Sequence, residues 1–161
     1  MTEHDSARAY EIAIHEAGHA VAAYFLKRPF SSVTIVPDDD CDGHVACDGY
    51  NGNSKKIITN ELITLFAADV AVRVALEDTD NFCDPTTVYD DYQAEELASR
   101  AYKSHERRIE FMRTVRYEAA ELVMSTEWQA AINAVAKALV DHKELSYEQV
   151  AKVIRRSCLD W

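Results

Sequence analysis

Glycine and proline are scarce in this chain, 4 and 3 among 161 residues. So few breakers exclude collagen-like and Pro/Gly-rich linker architectures and predict long helices. Long apolar runs are also missing. The longest, Ala20 to Leu26, falls far short of the roughly 20 residues of a membrane span, so no membrane insertion is expected. The start, Met-Thr-Glu-His-Asp, lacks the basic and apolar regions of a signal peptide. Cys41, Cys47, Cys83 and Cys158 form neither a CxxC pair nor the dense pattern of a small secreted domain, which favours reduced thiols and a cytoplasmic setting. Cations are in the minority, 17 Lys and Arg against 28 Asp and Glu, for a net charge of −11. Such a surface repels phosphate backbones and anionic lipid, so no nucleic-acid partner is expected.

What is present suits a globular domain. Apolar residues make up 48% and charged residues 28%, enough for a core without disulfide or metal staples. The length fits one domain over 1–161, with a short N-terminal tail of about 1–6. Ala9, Ile12, Ala13, Ala20, Ala23 and Tyr24 recur at helical spacing, which predicts a helix over about 6–27, closed by Pro29. Ser31-Ser32-Val33-Thr34-Ile35-Val36 is rich in β-branched residues and reads as a strand ended by Pro37. Residues 43–47 return as a second short strand.

Ser54 is placed to cap a helix to about residue 76, with Ile57, Ile58, Leu62, Leu65, Ala68 and Val72 as its buried stripe and Asp69 pairing with Arg73 one turn on. A polar loop spans 77–87. Four helices follow, about 88–103, 105–125, 127–142 and 147–157, the last capped by Ser146 with Gln149 at its third position. The expected fold class is mainly α with one small β-hairpin.

The chemistry is concentrated in His15-Glu16-Ala17-Gly18-His19, an HExxH pattern. On a helix, His15 and His19 stand one turn apart on one face, so both imidazoles reach one metal ion. Glu16 lies beside that face, where its carboxylate can take a proton from water on the metal. Composition alone gives about 0.02 such matches, so coincidence is a weak rival. Two surface histidines on an ordinary amphipathic helix are the plain alternative, and the apolar flanks Ile12, Ile14, Ala17, Ala20 and Val21 argue against it. Gly18 costs helix stability, roughly 1 kcal/mol relative to alanine, which suggests that something packs against the backbone there.

A catalytic zinc site usually has three protein ligands and an open position. The HExxHxxGxxH continuation fails, because Ala22 and Phe25 stand at its Gly and His positions. The third ligand must then be a downstream carboxylate.

His-Glu-Ala-Gly-His-Ala-Val, followed by Val33-Thr34-Ile35-Val36-Pro37 and Gly43-His44, resembles the peptidase domain of FtsH-type zinc proteases. Those proteases join this domain to a membrane anchor and an AAA+ ATPase. The likeness spans about Tyr10 to Ile154, including Trp128 to Leu139 and Leu145 to Val150, which resemble the family's last helical pair. It implies a helical zinc domain whose third ligand is an aspartate opening a later helix. Here Asp90-Asp91-Tyr92-Gln93-Ala94-Glu95-Glu96-Leu97-Ala98 occupies that place. Asp90 matches as the ligand and shares a helix face with Ala94, Leu97, Ala98 and Ala101; Asp91, on the Glu95 side, is the runner-up. The plain alternative for Asp90 is a charge favoured by the helix dipole. One departure stands out: a Gly-Gly-Arg-Ala-Ala-Glu-like segment of the family is here Ala67-Ala68-Asp69-Val70-Ala71-Val72-Arg73.

The resemblance implies a soluble Zn2+-dependent endopeptidase, independent of ATP as an isolated domain, that hydrolyses unfolded polypeptide. A separate unfoldase or a homo-oligomer is a possible partner. The strand residues Val33, Thr34, Ile35 and Val36 are expected to offer an edge to an extended substrate. The rivals are a non-proteolytic binding or adaptor module on the same fold, and a zinc hydrolase acting on a non-peptide substrate.

Weaker patterns have plainer readings. Asp38-x-Asp40-x-Asp42-Gly43 resembles the start of a calcium loop, but Gly49 stands where a bidentate Glu is needed, so a solvated hairpin turn is preferred. Cys41, His44 and Cys47 lack a fourth ligand for a second metal site. His105-Glu106 begins like the metal motif, yet Ile109 replaces its second histidine, so a helix start is preferred. Arg107, Arg108, Arg113 and Arg116 either pair within the chain or form a docking face for an acidic partner.

Overall fold

A computed structural model describes residues 2–39, 43–46, 52–77 and 88–159, the side chains of residues 44 and 88–90 excepted. The elements are α1 (Glu3–Phe25), β1 (Ser32–Thr34), β2 (His44–Ala46), α2 (Lys55–Leu76), α3 (Val88–Ala101), α4 (His105–Met124), α5 (Thr126–His142), β3 (Glu144–Ser146) and α6 (Tyr147–Leu159). The mainly helical class is as expected. The candidate calcium loop, the Cys41–Cys47 pair and most of the 77–87 loop lie largely outside the described residues.

The central element is α1. Every residue from Ala13 to Ala23 is buried, so this helix is covered on all sides rather than along one stripe. Its many small side chains make that possible, because α2 and α5 can both approach closely. Phe25 stacks on Trp128 of α5, with ring centroids 5.3 Å apart and an interplanar angle of 15°. The remaining layers build outward: α3 and α4 lie on α2, and α6 lies on α5.

The expected N-terminal tail is mostly helix. The Thr2 hydroxyl accepts from the Asp5 amide, and the Asp5 carboxylate accepts from the Thr2 amide, a reciprocal capping box. Hydrogen bonds that the Asp5 carboxylate accepts, first from the Thr2 hydroxyl (2.7 Å) and then from the Thr2 amide, hold its carboxyl below the ordinary value. The other end of α1 stops at Phe25, before Pro29 can act. Lys27 adopts a left-handed φ of 56°, while Lys27 donates to Tyr24 O (3.2 Å) and Arg28 to Ala23 O (2.7 Å). This is a Schellman stop formed without glycine.

Ser54 caps α2 as expected, accepting from the Ile57 amide, and Asp69 pairs with Arg73 at 3.1 Å. At α6, Gln149 Oε1 accepts from the Ser146 amide (2.8 Å) and Ser146 Oγ from the Gln149 amide (3.3 Å), the predicted reciprocal cap.

The hairpin proves to be part of a three-stranded sheet of order β2-β1-β3. Val33 pairs with Val45 on one side and Leu145 on the other, both antiparallel. The expectation that Val33, Thr34, Ile35 and Val36 form an edge is therefore corrected. Strand β1 is central, the Ile35 amide donates to Lys143 O at 2.9 Å, and the Val36 amide is taken by Thr34 Oγ1 at 3.0 Å. Among the described residues the sheet edges are β2 and β3. Helix α6 begins at Tyr147, directly after the Ser146 cap as expected, and Glu144–Ser146 before it is strand β3.

Candidate metal centre

The HExxH residues sit in the most buried stretch of α1. His15, Glu16 and His19 retain only 7%, 5% and 9% of their exposure, so the surface-histidine alternative does not hold. The one-turn spacing brings the two imidazoles together, with centroids 4.8 Å apart and rings nearly perpendicular at 89°.

The orientation of His19 comes from α2. Its Nδ1 lies 2.9 Å from the Thr64 carbonyl oxygen. A carbonyl can only accept, so Nδ1 carries a proton, and in the neutral ring Nε2 is then the nitrogen with the lone pair. Fixing the tautomer through the second ring nitrogen is how metal-binding histidines are commonly held. Thr64 has no signature in the sequence, because its carbonyl, not its side chain, does this.

Gly18 allows the contact. A Cβ there would lie 2.7 Å from Ala68 Cα and 2.9 Å from Ala67 O. The two helix backbones therefore meet within one turn of the Thr64 carbonyl, as the helix-interior glycine suggested.

The sheet reaches the motif through Gly43. A Cβ on that residue would lie 2.8 Å from Thr34 O, 3.0 Å from Glu16 Cγ and 3.2 Å from Glu16 Oε1. The strand-β2 end of the hairpin thus rests directly on the Glu16 carboxylate, and only glycine fits between it and β1.

Asp90 lies in the first turn of α3, and its side chain is outside the described residues. Its position falls on the face buried at Ala94, Leu97 and Ala98, as the periodicity predicts. Asp91, on the outward face, is committed elsewhere: Oδ1 pairs with Arg116 at 3.4 Å, and its side chain is 56% exposed. Among the described residues, no group of three or more His, Cys, Asp and Glu side chains is arranged to hold a metal. The two imidazoles suit a zinc ion as donors, and a three-ligand site would need one donor more than they supply.

His105 begins α4 behind the Ser104 cap. Arg108 pairs with Glu95 at 3.2 Å and Arg116 with Asp69 and Asp91, so two of the four arginines are held within the chain. No helix among the described residues is long and apolar enough to cross a membrane. Comparison of the chain with protein-family models and with curated proteins finds no match.

Proposed function

We propose that this chain is a zinc-dependent metalloendopeptidase with an FtsH-like peptidase fold, in which His15, His19 and Asp90 hold the metal and Glu16 is the general base. The observation that carries the proposal is the buried, one-turn pair of imidazoles with the His19 tautomer fixed by Thr64 O. Glu16, the residue after His15 on the same buried helix, supplies the remaining chemistry. When bound, zinc supplies Lewis acidity toward water and the scissile carbonyl.

The residues divide the work. Glu16 takes the proton of the attacking water and passes it to the leaving amine. Its burial keeps bulk water from competing and strengthens its interactions. Asp90 is preferred to Asp91 because the Asp91 carboxylate is engaged by Arg116. The substrate lies along β2 rather than β1, since β2 is an edge among the described residues and its Gly43 end touches Glu16. Addition to an edge reads backbone more than side chains, so sequence selectivity is loose.

The residue at position 43 gives a sharp prediction. In Gly43→Ala, the new methyl meets the rigid Thr34 carbonyl and lifts the hairpin from Glu16. Hydrolysis of a quenched peptide should fall about 10–100-fold, the scale of a small misplacement at a reacting group, with the unfolding midpoint little changed. Full activity in that variant would remove the hairpin from the site.

The substrate class is tested by digestion. Without an unfoldase, the purified protein should cleave unfolded casein and peptides while sparing a stable folded protein. Efficient unaided digestion of the folded protein would contradict this, and turnover of a non-peptide amide or ester with no peptide cleavage would favour a different hydrolase.

A further inference from the structure

Helix α3 carries the proposed third ligand, yet it packs on α2 and α4 as its principal neighbours. Its first turn therefore needs a reference that connects it to the histidines of α1. Helix α2 supplies that reference at two places. Thr64 O fixes His19. Five residues on, Asp69, only 9% exposed, pairs with Arg116 of α4 at 3.4 Å.

The same guanidinium reaches from its other nitrogen to Asp91 in the first turn of α3, also at 3.4 Å. It lies over the Phe66 ring of α2, 4.5 Å from the centroid. Arg116 thus spans α2, α4 and α3 with one planar group, a geometry that lysine, with a single compact charge, does not reproduce. Asp69 is also paired with Arg73, so removing Arg116 leaves no buried carboxylate without a cation.

We infer that Arg116 is a positioning residue for the metal centre, tying the α3 turn that carries Asp90 to the helix that orients His19 by bridging Asp69 and Asp91. The inference rests on the metal-centre proposal above. An isolated exposed ion pair contributes little. Here the pairing to a buried carboxylate and the ring beneath it fix the guanidinium before Asp91 meets it.

The test is zinc affinity, measured by chelator competition, in a double-mutant cycle. Arg116→Ala and Asp91→Asn should each weaken zinc binding about tenfold, the lower end of the range for groups that orient ligands. The double variant should be no weaker than either single one. In an Asp90→Ala background, Arg116→Ala should change the affinity less than twofold, because the ligand it positions is gone. A merely structural role would not produce that coupling. Asp91 is exposed, so Asp91→Asn keeps the fold and the test stands even if Arg116→Ala is unstable.

Unchanged affinity in Asp91→Asn overturns the inference, as does a full tenfold loss that persists without Asp90. Both outcomes leave zinc binding by the wild type, and hence the metal-centre proposal, standing. A wild-type chain that binds no zinc overturns both.

Discussion

Glu16→Gln should retain its zinc and lose peptide hydrolysis by about 10²–10⁴-fold, the usual contribution of a positioned general base. The substitution keeps the shape of the side chain and removes its basicity. Glu16 is 5% exposed and follows His15 in the buried stretch of α1, so bulk water is poorly placed to replace it. Zinc content, measured on the same sample as activity, separates loss of the base from loss of the metal. If Glu16→Gln cleaves peptides as fast as the wild type, Glu16 is not the base.

The second large effect is at Gly18, where two forces oppose. Alanine in a helix interior is worth about 1 kcal/mol over glycine. Against that, its Cβ would sit 2.7 Å from Ala68 Cα, 2.9 Å from Ala67 O and 3.1 Å from Ala68 N. All three opposing atoms are backbone, so no rotamer change relieves the clash and α2 itself must move. Overpacking of this kind costs about 1–3 kcal/mol, with several further consequences for the site. Moving α2 away lengthens the His19–Thr64 hydrogen bond and releases the imidazole. With only backbone atoms opposing it, the clash falls at the upper end of that range and exceeds the propensity gain by about 2 kcal/mol. Gly18→Ala should therefore lower the thermal midpoint by several degrees, at roughly 2–4 °C per kcal/mol for a chain of this size, and weaken zinc binding with it. A midpoint equal to or above that of the wild type would show that propensity wins and that the helices can separate freely.

Much of this was legible locally. The HExxH spacing defined one helix face, the scarcity of breakers forecast long helices, and caps at Ser54 and Ser146 follow from residue type and spacing. The role of Gly18 was legible too, because a helix-interior glycine calls for a reason. The N-terminal start carried a usable signal, Thr2 three residues before Asp5, which the late onset of apolar periodicity obscured.

Long-range pairing was not legible. Glu144-Leu145-Ser146 has no run of β-branched residues, and it is a strand only because β1 lies beside it. That contact makes β1 central, so the expected edge moved to β2. Thr64 acts through its backbone, which leaves no mark on residue type. Arg116 meets Asp69 and Asp91 across 47 and 25 positions, and only the packing of α4 on α2 brings them together. Local chemistry thus reveals the motif residues His15, Glu16 and His19, whereas their orientation and anchoring depend on packing.

The most direct test of the central claim is the metal content of the purified chain and its histidine variants, measured by plasma mass spectrometry alongside peptide hydrolysis. The wild type should carry about one zinc per chain, as a single three-ligand catalytic site requires. His15→Ala and His19→Ala should each lose both zinc and hydrolysis while keeping their helical content. A wild-type protein that is free of zinc after incubation with the metal, and inactive on unfolded substrate, would contradict the account.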